Sequence, residues 1–287
     1  MPRIVLVTDS TASLPAKVVA ERDIVVVPLE VVIGGDIFEE GADGATPEMV
    51  AEALRAFRPV STSRPSPSVM LEVYEQAARE GATAVVSIHL SGDMSGTFES
   101  AQLAAREASI PVTAVDTRQV GIGTGYAVLA AADVLDRGGS ADEAADAARQ
   151  RAAATSSLFY VDTLEYLRRG GRIGAAAALF GGALAVKPLL TIEGGVVATL
   201  EKVRTATRAL SRLEELAVQA AADQQVEIGV AHLASPDRAG QLTERLTDRL
   251  ADNLAGREVW CGELGAVLGA HVGPGMLAVC VAPVLTP

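Results

Sequence analysis

The first 157 residues alternate short runs of β-branched residues with longer alanine-rich stretches. β-Branched residues favour strands, whereas alanine favours helices. Strands that alternate with helices along a chain form a mainly parallel sheet with helices on both faces. This part is therefore predicted to be an α/β domain, with strands at Ile4–Val7, Ile24–Pro28, Ala84–Ile88 and Val112–Val115.

Capping signals mark three of the predicted helix starts. Thr46 and Ser66 are each followed by proline, the order expected for an N-cap residue and the first helical position. Ser140 stands three residues before Glu143, as in a capping box. The segment Pro28–Phe38 differs, because its Gly-Gly pair predicts an extended excursion with a turn.

The second half of the chain follows another pattern. A Gly-Gly turn between two β-rich runs predicts a hairpin from Leu189 to Leu200. We predict an α+β domain in which helices back one sheet, and we place the boundary near Thr155–Thr163. The predicted domains are 1–158 and 159–287. The remaining predicted elements are a helix at Thr207–Ala222, a strand at Val226–Ala231, a helix opened by Ser235 and Pro236, and strands at Glu258–Cys261 and Met276–Val281.

Composition argues against several classes of protein. Lys and Arg number 24 against 36 Asp and Glu, so the net charge of −12 disfavours a nucleic-acid partner. The apolar stretch Ile173–Val186 is shorter than the roughly 20 residues that cross a bilayer. The N-terminal run shows no signal-peptide pattern, and Cys261 and Cys280 lie in apolar surroundings typical of reduced thiols. We expect a cytoplasmic protein.

One segment is basic within this acidic chain. Glu165–Arg212 contains eight basic and three acidic residues, a local net charge of +5. Such a segment favours an anionic ligand or partner. A solvated face with internal ion pairs is the alternative interpretation.

Several familiar chemistries are missing. Gly121, Gly123 and Gly125 follow a predicted strand, but Tyr126 stands where a dinucleotide fingerprint needs a third small residue. No phosphate-binding P-loop motif is present, and the three histidines show no metal-ligand spacing. We expect no metal and no cofactor.

Three segments rich in hydroxyls follow predicted strands: Thr8–Thr11, Ser61–Ser63 and Ser91–Thr97. In open α/β sheets, ligands bind at the carboxyl ends of the strands. Ser95 is also predicted to stand at a helix N-terminus, which favours an anion. Three converging hydroxyl loops suit a carboxylate or a phosphate, whereas single hydroxyls that only cap helices are the alternative.

A serine esterase is the competing hypothesis. Ser95, Asp116 and His271 occur in the order of a nucleophile, an acid and a base. The nucleophile-elbow motif requires glycine at both outer positions, where this sequence has Asp93 and Thr97.

Two glycine-rich segments complete the candidates. Leu164–Gly174 holds three glycines around Arg172, which predicts a close backbone approach, and the small apolar residues of Ala175–Val186 can line a smooth slot. A core helix is the alternative for this stretch. The turn His271–Gly275 can present an imidazole at a domain edge, although a lone histidine is more often a structural donor.

Five segments occur in order along the chain: Val7–Pro15, Thr62–Ser66, Ser95–Ala101, Leu164–Ile173 and His271–Gly275. Together they resemble the DegV family of fatty-acid-binding proteins, which includes the FakB-like subunits of bacterial fatty acid kinases. The resemblance covers essentially the full chain. Arg64, Phe98 and Glu99 depart from the Gln, Tyr and Gln that are common in the family.

The resemblance implies a two-domain protein that binds one long-chain fatty acid and is not itself an enzyme. It implies carboxylate contacts from Thr62 and Ser95, with His271 in the same network. A separate ATP-dependent kinase subunit would phosphorylate the bound carboxylate for phospholipid synthesis, and docking on a membrane surface would be transient. Residues assigned to the ligand region or to partner docking are Arg172, Arg204, Gly96 and Ser63.

Overall fold

The computed structural model describes residues 3–41, 44–179 and 187–285. These residues form thirteen strands and eleven α-helices. The strands are β1 (Ile4–Asp9), β2 (Ile24–Val27), β3 (Glu30–Ile33), β4 (Asp36–Glu39), β5 (Val60–Ser63), β6 (Ala84–His89), β7 (Val112–Asp116), β8 (Ser156–Tyr160), β9 (Lys187–Glu193), β10 (Val196–Val203), β11 (Val226–His232), β12 (Trp260–Glu263) and β13 (Leu277–Pro283). The helices are α1 (Ala16–Glu21), α2 (Pro47–Arg55), α3 (Pro67–Arg79), α4 (Thr97–Glu107), α5 (Ile122–Asp136), α6 (Ala141–Ala154), α7 (Glu165–Arg169), α8 (Ala206–Ala221), α9 (Pro236–Arg249), α10 (Ala251–Leu254) and α11 (Ala266–Val272).

The chain divides into two compact units. The first comprises Met1–Glu30 and Ser63–Ala153, and the second comprises Val31–Thr62 and Ala154–Pro287. The sequence-based domain boundary at residue 158 differs from this division mainly in residues 31–62, which group with the later part of the chain. Their helix α2 packs against α11 of the second unit, a non-local contact that sequence order does not reveal.

The first unit is built on a four-stranded sheet in the order β2-β1-β6-β7, with all pairs parallel. Successive side chains of β1 point to opposite faces of the sheet. Leu6 packs with α5 and α6 on one face, and Val5 and Val7 pack with α3 and α4 on the other. This is the predicted α/β arrangement with helices on both faces.

The second unit contains a six-stranded mixed sheet in the order β10-β9-β8-β13-β11-β12. Helices α8 and α9 cover one face, where Leu213 and Leu242 are buried against Ile228 and Val279. The predicted hairpin corresponds to β9 and β10, which pair antiparallel. The predicted helix-backed sheet is thus confirmed.

Two local expectations are confirmed by hydrogen bonds. The Thr46 hydroxyl accepts from the backbone N–H of Met49. The Ser140 N–H donates to the Glu143 carboxylate at 2.7 Å, while the Glu143 N–H donates to the Ser140 hydroxyl at 3.3 Å. This reciprocal pair is the capping box predicted from the sequence.

The extended excursion after Pro28, with a turn at its Gly-Gly pair, is confirmed as strands β3 and β4. Three features differ from the sequence analysis. These two strands join β5 in a separate sheet of order β4-β3-β5, which was not predicted. The hydroxyl-rich segment Ser61–Ser63, expected to be a loop, lies within β5. Strand β8 was not predicted, because its buried central position in the sheet depends on long-range pairing with β13 and β9.

None of the helices in the described part of the chain combines the length and the hydrophobicity that a membrane span requires.

A buried carboxylate clamps α8 to α9. Glu214 of α8 accepts from Arg245 at 2.6 Å and from Arg249 at 2.7 Å, and these two guanidinium groups outweigh burial and lower the pKa of Glu214. We expect Glu214→Ala to lower the free energy of unfolding by about 1–2 kcal/mol, because both arginines remain partly solvated. Urea unfolding measures this change.

The matched control is Asp146→Ala, which removes an exposed carboxylate paired with Arg149 on a single helix. That loss should stay below about 0.5 kcal/mol. Equal losses in the two variants would contradict the assignment of Glu214 as an interhelical clamp.

Candidate functional site

Two of the hydroxyl-rich loops meet at one edge of the first unit. Strands β1 and β6 pair in parallel, so the loops that follow them begin side by side. The Asp9 carboxylate at the end of β1 accepts from the N–H of Thr11 and from the N–H of Leu90, both at 3.1 Å. The two loops are therefore joined through one buried side chain.

Ser95 stands two residues before α4, as the sequence predicted. Its hydroxyl lies 2.9 Å from the Thr97 hydroxyl, and its N–H donates to the Ser91 carbonyl at 3.0 Å. Gly96 occupies the N-cap position without a side-chain cap. A half-buried hydroxyl at the N-terminus of an eleven-residue helix is well placed to bind an anion.

Arg64 lies against this helix start. Its guanidinium donates to the Gly96 carbonyl at 3.1 Å and to Glu99 at 2.8 Å. A Cβ on Gly96 would overlap the guanidinium in this position, so the missing side chain allows the close approach. Two of the residues that depart from the family pattern, Arg64 and Glu99, thus pair with each other. Ser63, which precedes them, is exposed.

Thr62 and His271 are brought together in the second unit. Thr62 lies in β5, and His271 lies in the last turn of α11, 209 positions later in the sequence. The Thr62 Oγ1 and His271 Nε2 atoms are 2.9 Å apart. Both side chains are half-buried, so the pair keeps access to solvent or to a ligand.

The other ring nitrogen of His271 faces Gly170. A Cβ at position 170 would overlap Nδ1, so only glycine allows the ring to lie this close to the backbone. The close approach predicted for the Gly/Arg segment is confirmed at this residue. Nδ1 is shielded from solvent and has no hydrogen-bond partner among the described residues.

His271 is neutral at physiological pH. Burial, together with the nearby Arg172 guanidinium, lowers the pKa of His271 to about 4. Arg172 itself donates to the Gly170 carbonyl at 2.6 Å. Arg172 therefore belongs to the surroundings of the Thr62–His271 pair.

The structure does not support the esterase constellation. Nε2 of His271 contacts Thr62, and Nδ1 lies against Gly170 without a hydrogen-bond partner among the described residues, so none of their carboxylates orients the ring. Asp116 accepts instead from the N–H groups of Gly92 at 3.2 Å and Arg118 at 2.8 Å. Asp116 therefore shapes the loop that leads to Ser95 rather than activating a base.

The basic segment is partly neutralised by internal ion pairs. Glu165 binds both Arg168 and Arg169, and these bonds lower its pKa to about 2. Arg212 pairs with Glu201 inside the segment, and Lys187 pairs with Asp162 just before it. The solvated-face interpretation therefore holds for half of the eight cations. By contrast, Lys202, Arg204 and Arg208 are exposed around the start of α8.

The slot predicted for Ala175–Val186 falls largely on residues 180–186, which lie outside the described residues. Within the described part, Ala176 is buried, while Ala175, Ala177 and Ala178 are exposed. In the described residues no cluster of His, Cys, Asp and Glu is arranged to hold a metal ion.

Sequence reasoning missed two contacts of the site. The approach of Arg172 to His271 joins segments that are distant in sequence. The buried pair of Asp9 with His89 was also missed. The predicted strands stop at Val7 and Ile88, whereas the observed strands β1 and β6 end at Asp9 and His89 and pair in parallel. A polar residue shortly after each predicted strand was the available signal.

Comparison with known proteins gives a consistent result. The sequence profile of the family described as "Uncharacterised protein, DegV family" matches residues 3–284. A DegV domain-containing protein from Streptomyces coelicolor is 53% identical over 278 residues, which cover 97% of this chain and 98% of that protein.

Two solved structures share the fold over nearly the whole chain. One is a DegV family protein from Thermus thermophilus described by its fatty acid binding, with 34% identity, a TM-score of 0.91 and coverage of 98% of this chain and 100% of that chain. The other is DegV from Bacillus subtilis, described as a fatty acid binding protein, with 30% identity, a TM-score of 0.89 and coverage of 99% and 100%. The chain belongs to the DegV family.

Proposed function

We propose that this protein binds one long-chain fatty acid and holds its carboxylate with the hydroxyls of Thr62 and Ser95, with the imidazole of His271 in the same network. We further propose that it presents the carboxylate to a separate ATP-dependent fatty acid kinase and is not an enzyme itself. The observation that carries the proposal is the 2.9 Å contact between Thr62 and a neutral His271. The fatty acid binding described for the similar proteins from T. thermophilus and B. subtilis supports the choice of ligand.

The number of protons on Thr62 and His271 determines which of the two can donate to the carboxylate. A threonine hydroxyl has one proton to donate. If Thr62 gave that proton to His271, none would remain for a carboxylate. The proposal therefore requires the tautomer in which Nε2–H of His271 donates to Thr62, which leaves the Thr62 proton for the ligand.

Energetics explain why the head group must decide retention. Burial of a methylene away from water is worth about 0.8 kcal/mol, but a cellular fatty acid starts in a bilayer that is equally apolar. Moving the tail from bilayer to protein therefore changes little. Charge-assisted hydrogen bonds to the carboxylate contribute about 1.5–3 kcal/mol each, so a few donors control binding.

Arg172 and Arg204 would have different roles. Arg172 lies beside His271, which places it in the ligand region. Arg204 is exposed just before α8 and, with Lys202 and Arg208, forms a cationic surface for an acidic partner such as the kinase or, transiently, an anionic membrane. The kinase reaction would take place in the cytoplasm, where ATP is supplied.

We expect Thr62→Val and Ser95→Ala each to weaken binding of a C16 fatty acid about 10- to 100-fold, because each removes one donor to the carboxylate. Thr62→Ser keeps the hydroxyl and should stay near the wild-type affinity. The measurement is displacement of a fluorescent fatty acid at constant ionic strength.

Ser61→Ala is the matched control, since Ser61 is exposed and its side chain points to the opposite face of β5 from Thr62. Unchanged affinity in the Thr62→Val, Ser95→Ala double variant would refute the assigned carboxylate site.

Acid should destabilise the protein through His271. The unfolded chain binds this proton near pH 6.5, whereas the folded protein binds it only near pH 4. Stability from this group is therefore lost as pH falls from 6.5 to 4, by at most about 1.4 kcal/mol per pH unit. Urea unfolding of wild type and His271→Gln across this range should give a steeper loss for wild type. Parallel curves would show that His271 does not resist protonation.

The cationic surface should matter for phosphorylation alone. We expect the Arg204→Glu, Arg208→Glu double variant to lower kinase-dependent formation of acyl phosphate at least tenfold, because charge reversal repels an acidic partner. Fatty acid affinity should not change. Arg79→Glu, an exposed cation of the first unit, is the control. A double variant that is phosphorylated as fast as wild type would rule out docking at this surface.

A further inference from the structure

A chain of buried polar side chains crosses the first unit through β6. The Tyr74 hydroxyl donates to Ser87 at 2.8 Å, Ser87 Oγ lies 2.7 Å from His89 Nε2, and His89 Nδ1 lies 2.9 Å from Asp9 Oδ2. All four side chains are fully buried. None of them belongs to the set proposed to touch the carboxylate.

The direction of each hydrogen bond follows from the number of protons. The Asp9 carboxylate can only accept, so His89 carries a proton on Nδ1 and donates it to Asp9. In the tautomer with its single proton on Nδ1, Nε2 accepts from the Ser87 hydroxyl, which itself accepts from Tyr74. The order serine, histidine, aspartate is that of a hydrolase triad, but complete burial keeps Ser87 away from any substrate.

Asp9 is where this chain ends. Its Oδ2 accepts from His89 Nδ1 and from the Leu90 N–H at 3.1 Å. Its Oδ1 accepts from the Thr11 N–H at 3.1 Å and from the Thr11 hydroxyl at 2.5 Å. A buried carboxylate is tolerated only when such donors surround it. Each oxygen therefore holds two donors, and Oδ2 and Oδ1 serve different loops.

Two hydrogen bonds connect Asp9 to Ser95. The first fixes the Leu90 N–H. The next residue, Ser91, uses its carbonyl to accept from the N–H groups of Met94 at 3.1 Å and Ser95 at 3.0 Å. The turn that carries Ser95 therefore begins directly after the residue whose N–H is bound by Asp9.

We propose that Asp9, oriented by His89, is a positioning residue that sets where the Ser95 hydroxyl stands. This inference rests on the proposed function, because it assigns Asp9 a role in fatty acid binding without direct contact. A buried anion that only stabilised the sheet would influence all parts of the unit alike. Positioning instead predicts a specific coupling between Asp9 and Ser95.

Asp9→Asn is the sharpest variant. The amide keeps the shape of the side chain, but its NH₂ group must face two donors, whichever oxygen it replaces. One of the two loops is therefore released. The matched control is Tyr74→Phe, which removes the donor at the far end of the same buried chain and leaves all four contacts of Asp9 in place.

The test is a double-mutant cycle on affinity for a C16 fatty acid, with folding of each variant checked by circular dichroism. We expect Asp9→Asn to weaken binding at least tenfold and Tyr74→Phe less than twofold. Combined with Ser95→Ala, Asp9→Asn should add less than a threefold further loss. Fully additive losses, or equal losses in Asp9→Asn and Tyr74→Phe, would overturn the proposal.

Amide exchange separates this proposal from the proposed function. If Ser95→Ala leaves fatty acid affinity unchanged, the assigned carboxylate contact fails. Faster exchange of the Ser95 N–H in the Asp9→Asn single variant than in wild type would then still support the positioning role of Asp9. Unchanged exchange of this N–H would overturn that role. Should Asp9→Asn not fold, His89→Gln replaces it, because it removes the histidine from the four donors to the Asp9 carboxylate. We expect His89→Gln to weaken fatty acid binding about threefold. Its loss should not add fully to that of Ser95→Ala. Additive losses in His89→Gln would reject the role of Asp9.

Discussion

A fatty acid leaves one apolar environment for another when it passes from a bilayer to a protein, so its tail cannot drive the transfer. Binding to the protein must therefore be favoured by contacts with the carboxylate. In the proposed site the donors are the hydroxyls of Thr62 and Ser95, and a neutral imidazole orients the first of them. Neutral donors bind a carboxylate while leaving its negative charge in place, which suits the proposed presentation of this group to a kinase.

The neutrality of His271 is a consequence of packing. Gly170 lets the backbone approach Nδ1, and Arg172 adds a positive charge nearby, so both influences disfavour the imidazolium. The absence of a side chain at position 170 thus helps to set the protonation state of a residue 101 positions away in sequence. In the first unit, too, a buried group prepares a residue of the proposed site. There, the fully buried carboxylate of Asp9 holds the turn that carries Ser95, and exposed Arg64 and Glu99 pair beside it.

Local chemistry was predictable from the sequence and long-range pairing was not. The capping box at Ser140 and the Thr46 cap depend on residues three positions apart, and both were predicted correctly. The position of Ser95 before a helix was also predictable, because a strand, a polar turn and a helix follow one another there. Strand β8 and the sheet formed by β3, β4 and β5 depend on partners far along the chain, and sequence patterns alone did not find them. Thr62 and His271 were linked only through the family resemblance, since no periodicity connects a strand residue with a helix end 209 positions later.

Native mass spectrometry of freshly purified protein tests the central claim most directly. Fatty acid binding predicts that the folded protein carries one additional species with the mass of a single C16 or C18 fatty acid, and that the Thr62→Val, Ser95→Ala variant loses it under the same conditions. A wild-type protein that contains no lipid and takes none up from fatty-acid-loaded vesicles would contradict the account.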